Sequence, residues 1–387
     1  MHEVGPVREW VLPRGLRVWL VTRYDDALSA LTDPRLRNDI HTARAVIAHN
    51  RTTSGPSRTR LPDELAMHML NSDPPDHTRL RALVAKAFTA RIVERLRPRI
   101  EQITDELLAV MAGRDTADLM RCLAIPLPIT VICELLGVPS IDRADLRRCS
   151  EVFVSAPGGA AMNEASRNMV AYLTTLIASK RDHPGDDLLT ALIQVRDSDG
   201  AALSEAELVS MASLLVVAGH ETTVNLIGNA VLALLRHPDQ LAALRSDPAL
   251  LPGAVEEFLR YESPVDIATM RYTTEPVQLG EMTIPADSVV LVSLGSANRD
   301  TGRLADADRL DVSRGPTHHL AFGHGIHFCV GAPLARLEAQ IAIGRLLDRF
   351  PDLALAIDPT EVRWKDSVFL HGLAELPVRL GRSVSFR

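Results

Sequence analysis

Long stretches of helical periodicity, interrupted by short strand-like runs, dominate the pattern of apolar and polar positions along this chain. A strand-like run at 18–21 precedes a helical pattern at 24–31, which ends at an Asp-Pro pair. Another helix is predicted to begin near Asp76, directly behind two prolines, and helical patterns continue well beyond it. Residues 51–60 are rich in Thr, Ser and Arg, show no periodicity and are predicted to form a mobile loop.

The longest apolar stretch begins at a capping box, 204–207, and continues without a helix breaker to His237-Pro238. It predicts one helix of roughly thirty residues, about 50 Å long. Strand-like runs follow within 277–292, 353–357 and 376–380. The pattern therefore predicts a mainly α fold with a minor β region. Because there is no internal repeat and no linker rich in Gly, Ser or Pro, we expect the whole chain, 1–387, to form a single domain.

This long helix is too polar at its centre for a membrane span. The stretch 208–235 is long enough to cross a bilayer, but the four residues at 220–223 are His, Glu, Thr and Thr. A charged residue at the centre of a bilayer is costly and rare. We therefore expect the helix to be buried in protein.

Composition and charge narrow the class of protein. Of the 387 residues, 46% are hydrophobic and 24% are charged, which suits a folded protein with a large core. The formal net charge of -7 argues against a nucleic-acid partner. The first ten residues lack the apolar run of a signal peptide, and the four cysteines form no Cys-x-x-Cys pair. We expect a cytoplasmic protein that binds neither membrane nor nucleic acid.

The most specific chemical signal is the run Phe-Gly-His-Gly-Ile-His-Phe-Cys-Val-Gly at 322–331. Its three glycines permit backbone conformations that allow amide N–H groups to point at the sulfur of Cys329. A helix predicted to begin at about Pro333 adds its positive end nearby. Both effects are expected to lower the pKa of the Cys329 thiol, which would make a thiolate available as a metal ligand.

A zinc site is the main alternative interpretation of this segment. Its ligands would be Cys329 and nearby histidines: His318, His319, His324 and His327. Without a second spaced cysteine this is the weaker interpretation. The remaining cysteines are interpreted as small buried apolar residues: Cys122, Cys133 and Cys149.

The pattern Phe-Gly-x-Gly-x-His-x-Cys-x-Gly resembles the haem-binding loop of the cytochromes P450. The resemblance implies haem b as cofactor, Cys329 as the axial ligand of its iron, and Phe322 and Gly323 as part of the binding loop. In that family the thiolate pushes electron density onto the iron and favours O–O cleavage. The resemblance extends from about Val18 to Leu380 and is greatest to the soluble bacterial members. It implies that the haem lies between the long central helix and the helix that follows the cysteine loop, residues 322–331.

A second motif, Ala-Gly-His-Glu-Thr-Thr at 218–223, is similar to the oxygen-activating motif of the family. A glycine, an acid and two hydroxyls inside a buried helix weaken that helix, and such local conflicts are usually functional. The resemblance implies that Thr222 positions oxygen and water and that Glu221 relays protons. From the residues alone, another interpretation stays open, in which the threonines bond back to carbonyls one turn earlier.

The two haem propionates need cationic partners, and the resemblance assigns them to four residues: His77, Arg81, Arg271 and His327. The i,i+4 spacing of the first pair supports this assignment, because it places both side chains over one patch. The family's Glu-x-x-Arg pair is matched by Glu257 and Arg260, which we interpret as a buried structural network.

The resemblance implies a monomeric monooxygenase that hydroxylates or epoxidises an apolar secondary metabolite such as a macrolide, steroid or terpene. With no flavin or nicotinamide motif in the chain, electrons would come from a ferredoxin or flavodoxin and its reductase. An acidic ferredoxin could dock on a basic face predicted on the helix after Asp76: Arg79, Arg81, Lys86 and Arg91. A haem-based gas sensor or carrier, a peroxide-driven hydroxylase and an oxidative coupler of phenols are the alternatives.

The resemblance also indicates where the substrate pocket lies. Its walls would come from the loop before Asp73 and from three segments: 156–186, 265–270 and 368–370. These pieces are mostly apolar, with Asp266 and His371 as candidate polar contacts for the substrate.

Overall fold

Helices supply most of the secondary structure in the computed structural model, which describes residues 5–13, 15–52, 62–155, 159–196 and 200–384. The helices are α1 Tyr24–Thr32, α2 Ile40–His49, α3 Asp76–Ala87, α4 Ala90–Arg95, α5 Arg97–Met111, α6 Pro126–Leu135, α7 Arg143–Ser155, α8 Gly159–Asp182, α9 Leu188–Gln194, α10 Glu205–Arg236, α11 Pro238–Ser246, α12 Leu251–Tyr261, α13 Leu294–Asn298 and α14 Ala332–Arg349. The strands are β1 Val7–Val11, β2 Arg17–Val21, β3 Leu36–Arg37, β4 Thr116–Asp118, β5 Arg271–Thr273, β6 Val277–Leu279, β7 Met282–Ile284, β8 Val289–Val292, β9 Ala354–Leu355 and β10 Pro377–Arg379. The predicted mainly α fold with a minor β region is confirmed. Most of the loop predicted at 51–60 lies outside the described residues.

The central helix α10 has the length and the start that its sequence predicts. It contains 32 residues, and the side chain of Ser204 accepts a hydrogen bond from the backbone N–H of Glu207 while the Glu207 side chain accepts from Ser204. It ends at His237, before a proline that cannot continue it. Most of its side chains are buried, because it packs against α6, α8, α12 and α14. It is therefore a helix enclosed by protein, and none of the helices in the described ranges could span a membrane.

The strands form two small sheets and one separate hairpin. The five-stranded sheet has the order β1-β2-β8-β5-β3, and the three-stranded sheet has the order β4-β10-β9. Strands β6 and β7 form the hairpin, so the run predicted at 277–292 contains three strands, because Gly280 at a positive φ of 54° turns the chain between the first two. In the larger sheet, β5 is buried along its length and begins at Arg271.

The main hydrophobic core surrounds α10 and includes side chains from α5, α6, α12 and α14. Burial of each leucine or isoleucine there contributes about 1.5–3 kcal/mol relative to an exposed position. Packing is close enough that a Cβ at Gly228 would lie 2.6 Å from the sulfur of Met120. This core fixes α10 and α14 relative to each other, and with them the segments that carry both motifs.

Candidate active site

The cysteine loop is held by its own backbone hydrogen bonds. The N–H of Cys329 donates to the Phe322 carbonyl at 2.9 Å, and that of Gly323 donates to Leu320 at 2.7 Å. Gly323 and Gly325 have φ values of 71° and 72°, in the left-handed region that favours glycine. A Cβ at Gly325 would also lie 3.0 Å from the Leu31 carbonyl oxygen. The glycines therefore permit a turn that packs against α1 and presents the cysteine sulfur.

Cys329 is accessible from a cavity that it lines, while surrounding protein atoms desolvate its thiol. Burial raises the pKa of this thiol, although the N–H groups of Gly331 and Ala332 and the charges of Arg81 and Arg336 act in the opposite direction. The sequence predicts a lowered pKa for Cys329, and this is wrong for the protein without a metal ion. The N–H groups do lower the pKa as expected, but burial raises it by more. A bound metal ion would supply the missing positive charge.

The cavity has a volume of about 620 Å³ and lies between α10 and the cysteine loop, within the range of small-molecule and cofactor sites. Its lining is mainly apolar and includes Ile40, Ile132, Leu215, Val265, Leu294 and Phe369. No Asp or Glu occurs among the described residues that line it. The cavity therefore suits a large apolar guest.

One wall of the cavity is cationic and contains His77, Arg81, Arg271 and His327. The Nη1 of Arg271 donates to the Leu36 carbonyl at 3.2 Å, but its buried Nε has no partner. Burial lowers the pKa of Arg271 to about 10. The Nη2 of Arg81 donates to the Phe328 carbonyl at 2.6 Å. Neither arginine forms an ion pair with a carboxylate in the part of the chain that the structure describes.

The two histidines of this wall lie beside each other, with ring centroids 4.4 Å apart. Burial is the main cause that lowers the pKa of His327 to about 3, and the neighbouring groups His77, Arg271 and Arg81 act in the same direction. Its Nε2 is buried and has no hydrogen-bond partner. Buried polar atoms are rarely left unpaired, so this wall has unused donors for an anion.

These features fit a bound haem b. The apolar cavity would enclose the ring system, the thiol of Cys329 would bind the iron, and the unpaired donors would meet two propionates. The zinc alternative fails, since the described residues contain no group of three His, Cys, Asp or Glu side chains that could hold a metal ion.

Helix α10 is continuous through the motif at 218–223. The hydroxyl of Thr222 donates to the Ala218 carbonyl at 2.9 Å. This is the hydrogen bond to the preceding turn that the alternative interpretation of the sequence proposes. Both Thr222 and Thr223 line the cavity. A Cβ at Gly219 would lie 3.1 Å from the Cδ1 of Ile132, so this glycine allows α6 to approach α10 closely.

Glu221 does not line the cavity. Its buried carboxylate instead forms an ion pair with the Nζ of Lys365 and lies 3.8 Å from the Nε2 of His220. Lys365 has no signal in the sequence, because no local pattern places a residue so far along the chain beside Glu221.

Glu257 and Arg260 form the buried network that the sequence predicts. Arg260 binds both carboxylate oxygens of Glu257, at 2.7 and 2.8 Å, and also donates to three backbone carbonyls. Neither residue lines the cavity, so their contribution is to hold segment 298–309 on α12.

The predicted pocket walls are partly correct. Segment 265–270 and the tip residues Phe369 and Leu370 line the cavity, except that Asp266 points away from it. His371 also points away, where it stacks on Trp364 and binds Glu262 at 2.6 Å. Segment 156–186 contributes no described lining residue, and its first three residues lie outside the described ranges. Besides the predicted site residues, the polar residues that line the cavity include Asn38, Asn71 and Thr269. Asn71 and Thr269 lie in wall segments that the sequence predicts, the loop before Asp73 and 265–270, whereas Asn38 was not indicated.

The predicted basic face is smaller than expected. Arg79 forms an ion pair with Glu207, and the Nζ of Lys86 donates to the Arg196 carbonyl at 2.9 Å. Arg91 is exposed. Part of the charge along α3 therefore serves contacts within the protein.

A family model described as cytochrome P450 matches residues 159–361. Cytochrome P450 107B1 from Saccharopolyspora erythraea is 58% identical over 376 residues, 97% of this chain and 92% of that protein. Mycinamicin IV hydroxylase/epoxidase from Micromonospora griseorubida is 44% identical over 388 residues, 98% of this chain and 93% of that protein. The tirandamycin C-bound structure of the P450 monooxygenase TamI superposes with a TM-score of 0.90 at 51% identity, covering 98% of this chain and 95% of that one.

Proposed function

The chain belongs to the cytochrome P450 family, and on that premise we propose that it hydroxylates or epoxidises a neutral polyketide such as a macrolide. Membership makes it an oxidoreductase of the monooxygenase type with haem b as cofactor. The observation that carries the proposal is the cavity in which the cysteine, the cationic wall and the threonines of α10 meet.

Seven of the predicted site residues have a role in holding the cofactor. Cys329 would supply the thiolate ligand of the iron, while Phe322 and Gly323 shape the loop that presents this cysteine. His77, Arg81, Arg271 and His327 bind the two propionates. Buried nitrogens of His77, Arg271 and His327 have no hydrogen-bond partner, and Arg81 forms no ion pair among the described residues. When bound, haem b supplies the chemistry that reduces dioxygen and transfers one of its atoms to the substrate.

The residues of α10 manage protons beside the substrate. Thr222 presents its hydroxyl oxygen to the cavity and can accept or pass on a proton there. Glu221 is the acid that resupplies this proton from the outer side of the helix. The surrounding apolar lining keeps bulk water away from both the substrate and the Thr222 hydroxyl.

The cavity lining favours a neutral substrate. A cationic group would lose its hydration without meeting a carboxylate, since none is found in the described lining. Uncharged hydrogen-bonding groups are present: the Oδ1 of Asn38 is buried and unpartnered, and its Nδ2 donates to Thr269 at 3.0 Å. Hydroxyl groups on a macrolide ring would suit these atoms, and two relatives carry names that refer to polyketides, mycinamicin IV and tirandamycin C.

Electrons would come from a ferredoxin or flavodoxin with its reductase. We propose that docking uses the cysteine loop, whose Ile326 is 48% exposed, and the exposed Arg91 of α4, which carries positive charge. We expect the protein to act as a single-domain monomer in the cytoplasm.

The test is turnover with a defined set of compounds. The haem-loaded protein, a ferredoxin, its reductase and reduced nicotinamide are incubated under isotopically labelled dioxygen with macrolide aglycones, amino-sugar macrolides, steroids and terpenes. We expect a neutral macrolide ring to perturb the haem spectrum and to gain one labelled oxygen atom. Preference for the amino-sugar compounds or steroids would overturn the substrate assignment, and the absence of labelled product would overturn the activity.

A further inference from the structure

Glu221 lies on the face of α10 that is turned away from the cavity, where Lys365 binds it. We propose that Lys365 is a positioning residue, which anchors Glu221 so that this acid can resupply protons to Thr222. This role rests on the proposed monooxygenase function and deepens it, by adding a residue from the C-terminal part of the chain to the site.

The ion pair connects the protein interior with solvent. Glu221 is 6% exposed, whereas the side chain of Lys365 is 27% exposed. A carboxylate at such depth is costly without a partner, and removal of one member of a buried pair leaves the other uncompensated. Lys365 therefore stabilises the acid where it lies and forms the solvent-facing end of the pair.

The other groups near this pair cannot replace Lys365. His220, on the same helix, uses its Nδ1 in a 2.7 Å contact with the Val216 carbonyl, and burial lowers its pKa, so it is neutral at physiological pH. Glu151 on α7 acts on His220 with a negative charge, and Asn225 lies 3.4 Å from the Nζ of Lys365 with a neutral amide oxygen. Among the described groups facing Glu221, Lys365 is the one that carries positive charge.

The local backbone fixes the position of Lys365. Its N–H donates to the Gly372 carbonyl at 2.8 Å, and Trp364 pairs with Leu373, so residues 364–373 form a hairpin. Gly372 lies so close to α10 that a Cβ would be 2.0 Å from the Oδ1 of Asn225. A larger residue at 372 would have to displace the Asn225 side chain, and the close approach brings Lys365 within reach of Glu221.

This arrangement gives Lys365 a defined part in proton movement. Held by the ammonium group, the Glu221 carboxylate can take a proton from solvent at the Lys365 end and deliver it towards the Thr222 hydroxyl on the cavity side. Without the ammonium group the Glu221 carboxylate would have no fixed orientation, and the partly exposed charged group that links it to the surface would be missing. Loss of Lys365 should therefore resemble loss of the acid itself.

The experiment is a mutant cycle in the haem-loaded protein with Lys365→Met, Glu221→Gln and the double variant. Lys365→Arg tests rescue by a conservative change. Arg363→Met is the matched control, because it removes a positive charge from the same segment without touching Glu221. The side chain of Arg363 is 70% exposed and pairs with Glu375. Product formation and peroxide release are measured across pH, and the free energy of unfolding in guanidinium is measured for every variant.

We expect Lys365→Met to slow product formation by roughly 100-fold, as Glu221→Gln does, because general acid–base help is lost in both. The double variant should be no slower than either single variant, and the two substitutions should be non-additive in unfolding free energy. Lys365→Arg should restore most of the rate, and Arg363→Met should change neither quantity.

Additive effects on unfolding, or a further rate loss in the double variant, would overturn the proposal, because Lys365 would then act independently of Glu221. A wild-type protein without turnover would instead refute the proposed function. In that case the unfolding cycle would still decide whether Lys365 anchors Glu221.

Discussion

His77 on α3 and His327 in the cysteine loop meet edge to face, with their ring centroids 4.4 Å apart. Burial is the main cause that lowers the pKa of each ring, so both are neutral near pH 7 and the positive charge of this wall belongs to Arg81 and Arg271. The histidines can donate neutral hydrogen bonds, whereas the arginines can form charge-assisted ones.

This division predicts unequal effects on haem retention. Arg271→Ala removes a 4% exposed cation, and loss of one partner of a buried charged pair costs about 3–5 kcal/mol, so haem should be released much faster. His327→Ala should have a smaller effect, because a neutral hydrogen bond contributes about 0.5–1.5 kcal/mol. Haem transfer to an excess of a haem-free acceptor protein measures the rates, with the exposed Arg37 on β3 replaced by Ala as control. Equal retention in all variants would reject the propionate assignment.

The axial ligand can be tested by spectroscopy. If Cys329 binds the iron, the reduced carbon monoxide complex should show the strongly red-shifted Soret band of a thiolate-bound haem. Cys329→His should abolish that band, because imidazole donates less electron density to the iron than a thiolate does. Cys149→Ala is the control, since this thiol does not line the cavity. A red-shifted band that survives in Cys329→His would place the ligand elsewhere.

Glu338 on α14 predicts a pH-dependent stability. Its carboxyl is fully buried, neither oxygen has a hydrogen-bond partner in the described structure, and burial raises its pKa well above the usual value. The folded protein therefore holds a proton that the unfolded chain releases above about pH 4.3. The contribution of Glu338 is fully present below that pH and is lost as pH rises towards the folded pKa, at up to about 1.4 kcal/mol per pH unit.

Glu338→Gln should remove this dependence, because an amide does not titrate. The free energy of unfolding of the variant should equal that of the wild type near pH 4.5 and exceed it increasingly towards pH 8. Unfolding in guanidinium at several pH values measures the difference, with the half-buried, ion-paired Glu101 replaced by Gln as control. A constant difference between wild type and Glu338→Gln would mean that the carboxyl is ionised in the folded protein.

Local sequence signals predicted the features that depend on neighbouring residues. The capping box at Ser204 and the proline after His237 define α10, and the glycines around Cys329 define its loop, because each rests on backbone constraints within a few residues. The pairing of Glu221 with Lys365 depends on tertiary packing, which no local pattern encodes. Likewise, the order of apolar and polar residues along 264–271 does not reveal that Asp266 is the residue of this segment that does not line the cavity.

The docking surface predicts an electrostatic contribution to reduction. Because Arg79 and Lys86 are engaged within the protein, the exposed Arg91 should contribute most among the residues predicted for this face. Arg91→Glu should slow reduction by an acidic ferredoxin, and the effect should shrink with added salt, since the Debye length is only about 8 Å at physiological ionic strength. Stopped-flow reduction measures it, with Arg148→Glu on α7 as control. If the reduction rate changes neither with Arg91→Glu nor with ionic strength, the ferredoxin docks elsewhere.

The hydroxyl of Thr222 is already a donor to Ala218, so towards the cavity it offers lone pairs first, and it can donate there only by giving up the 2.9 Å backbone bond. Exchange between these two arrangements would allow it to take a proton from one side and release it on the other. The helix tolerates the exchange because its backbone ladder is intact whichever way the hydroxyl points.

Thr222→Ala should therefore keep haem binding, substrate binding and electron uptake, while the loss of its hydroxyl leaves no group at this position to deliver protons in step with electrons. Electrons should then leave as hydrogen peroxide, and the product formed per reduced nicotinamide consumed should fall severalfold. Thr222→Ser should restore this ratio, because it returns the hydroxyl without the methyl group, whereas Thr222→Val keeps the shape and should behave like alanine. Product, peroxide and nicotinamide are assayed together. Unchanged coupling in both Ala and Val variants would mean that the hydroxyl serves only the backbone bond to Ala218, or that a hydroxyl of the substrate replaces it.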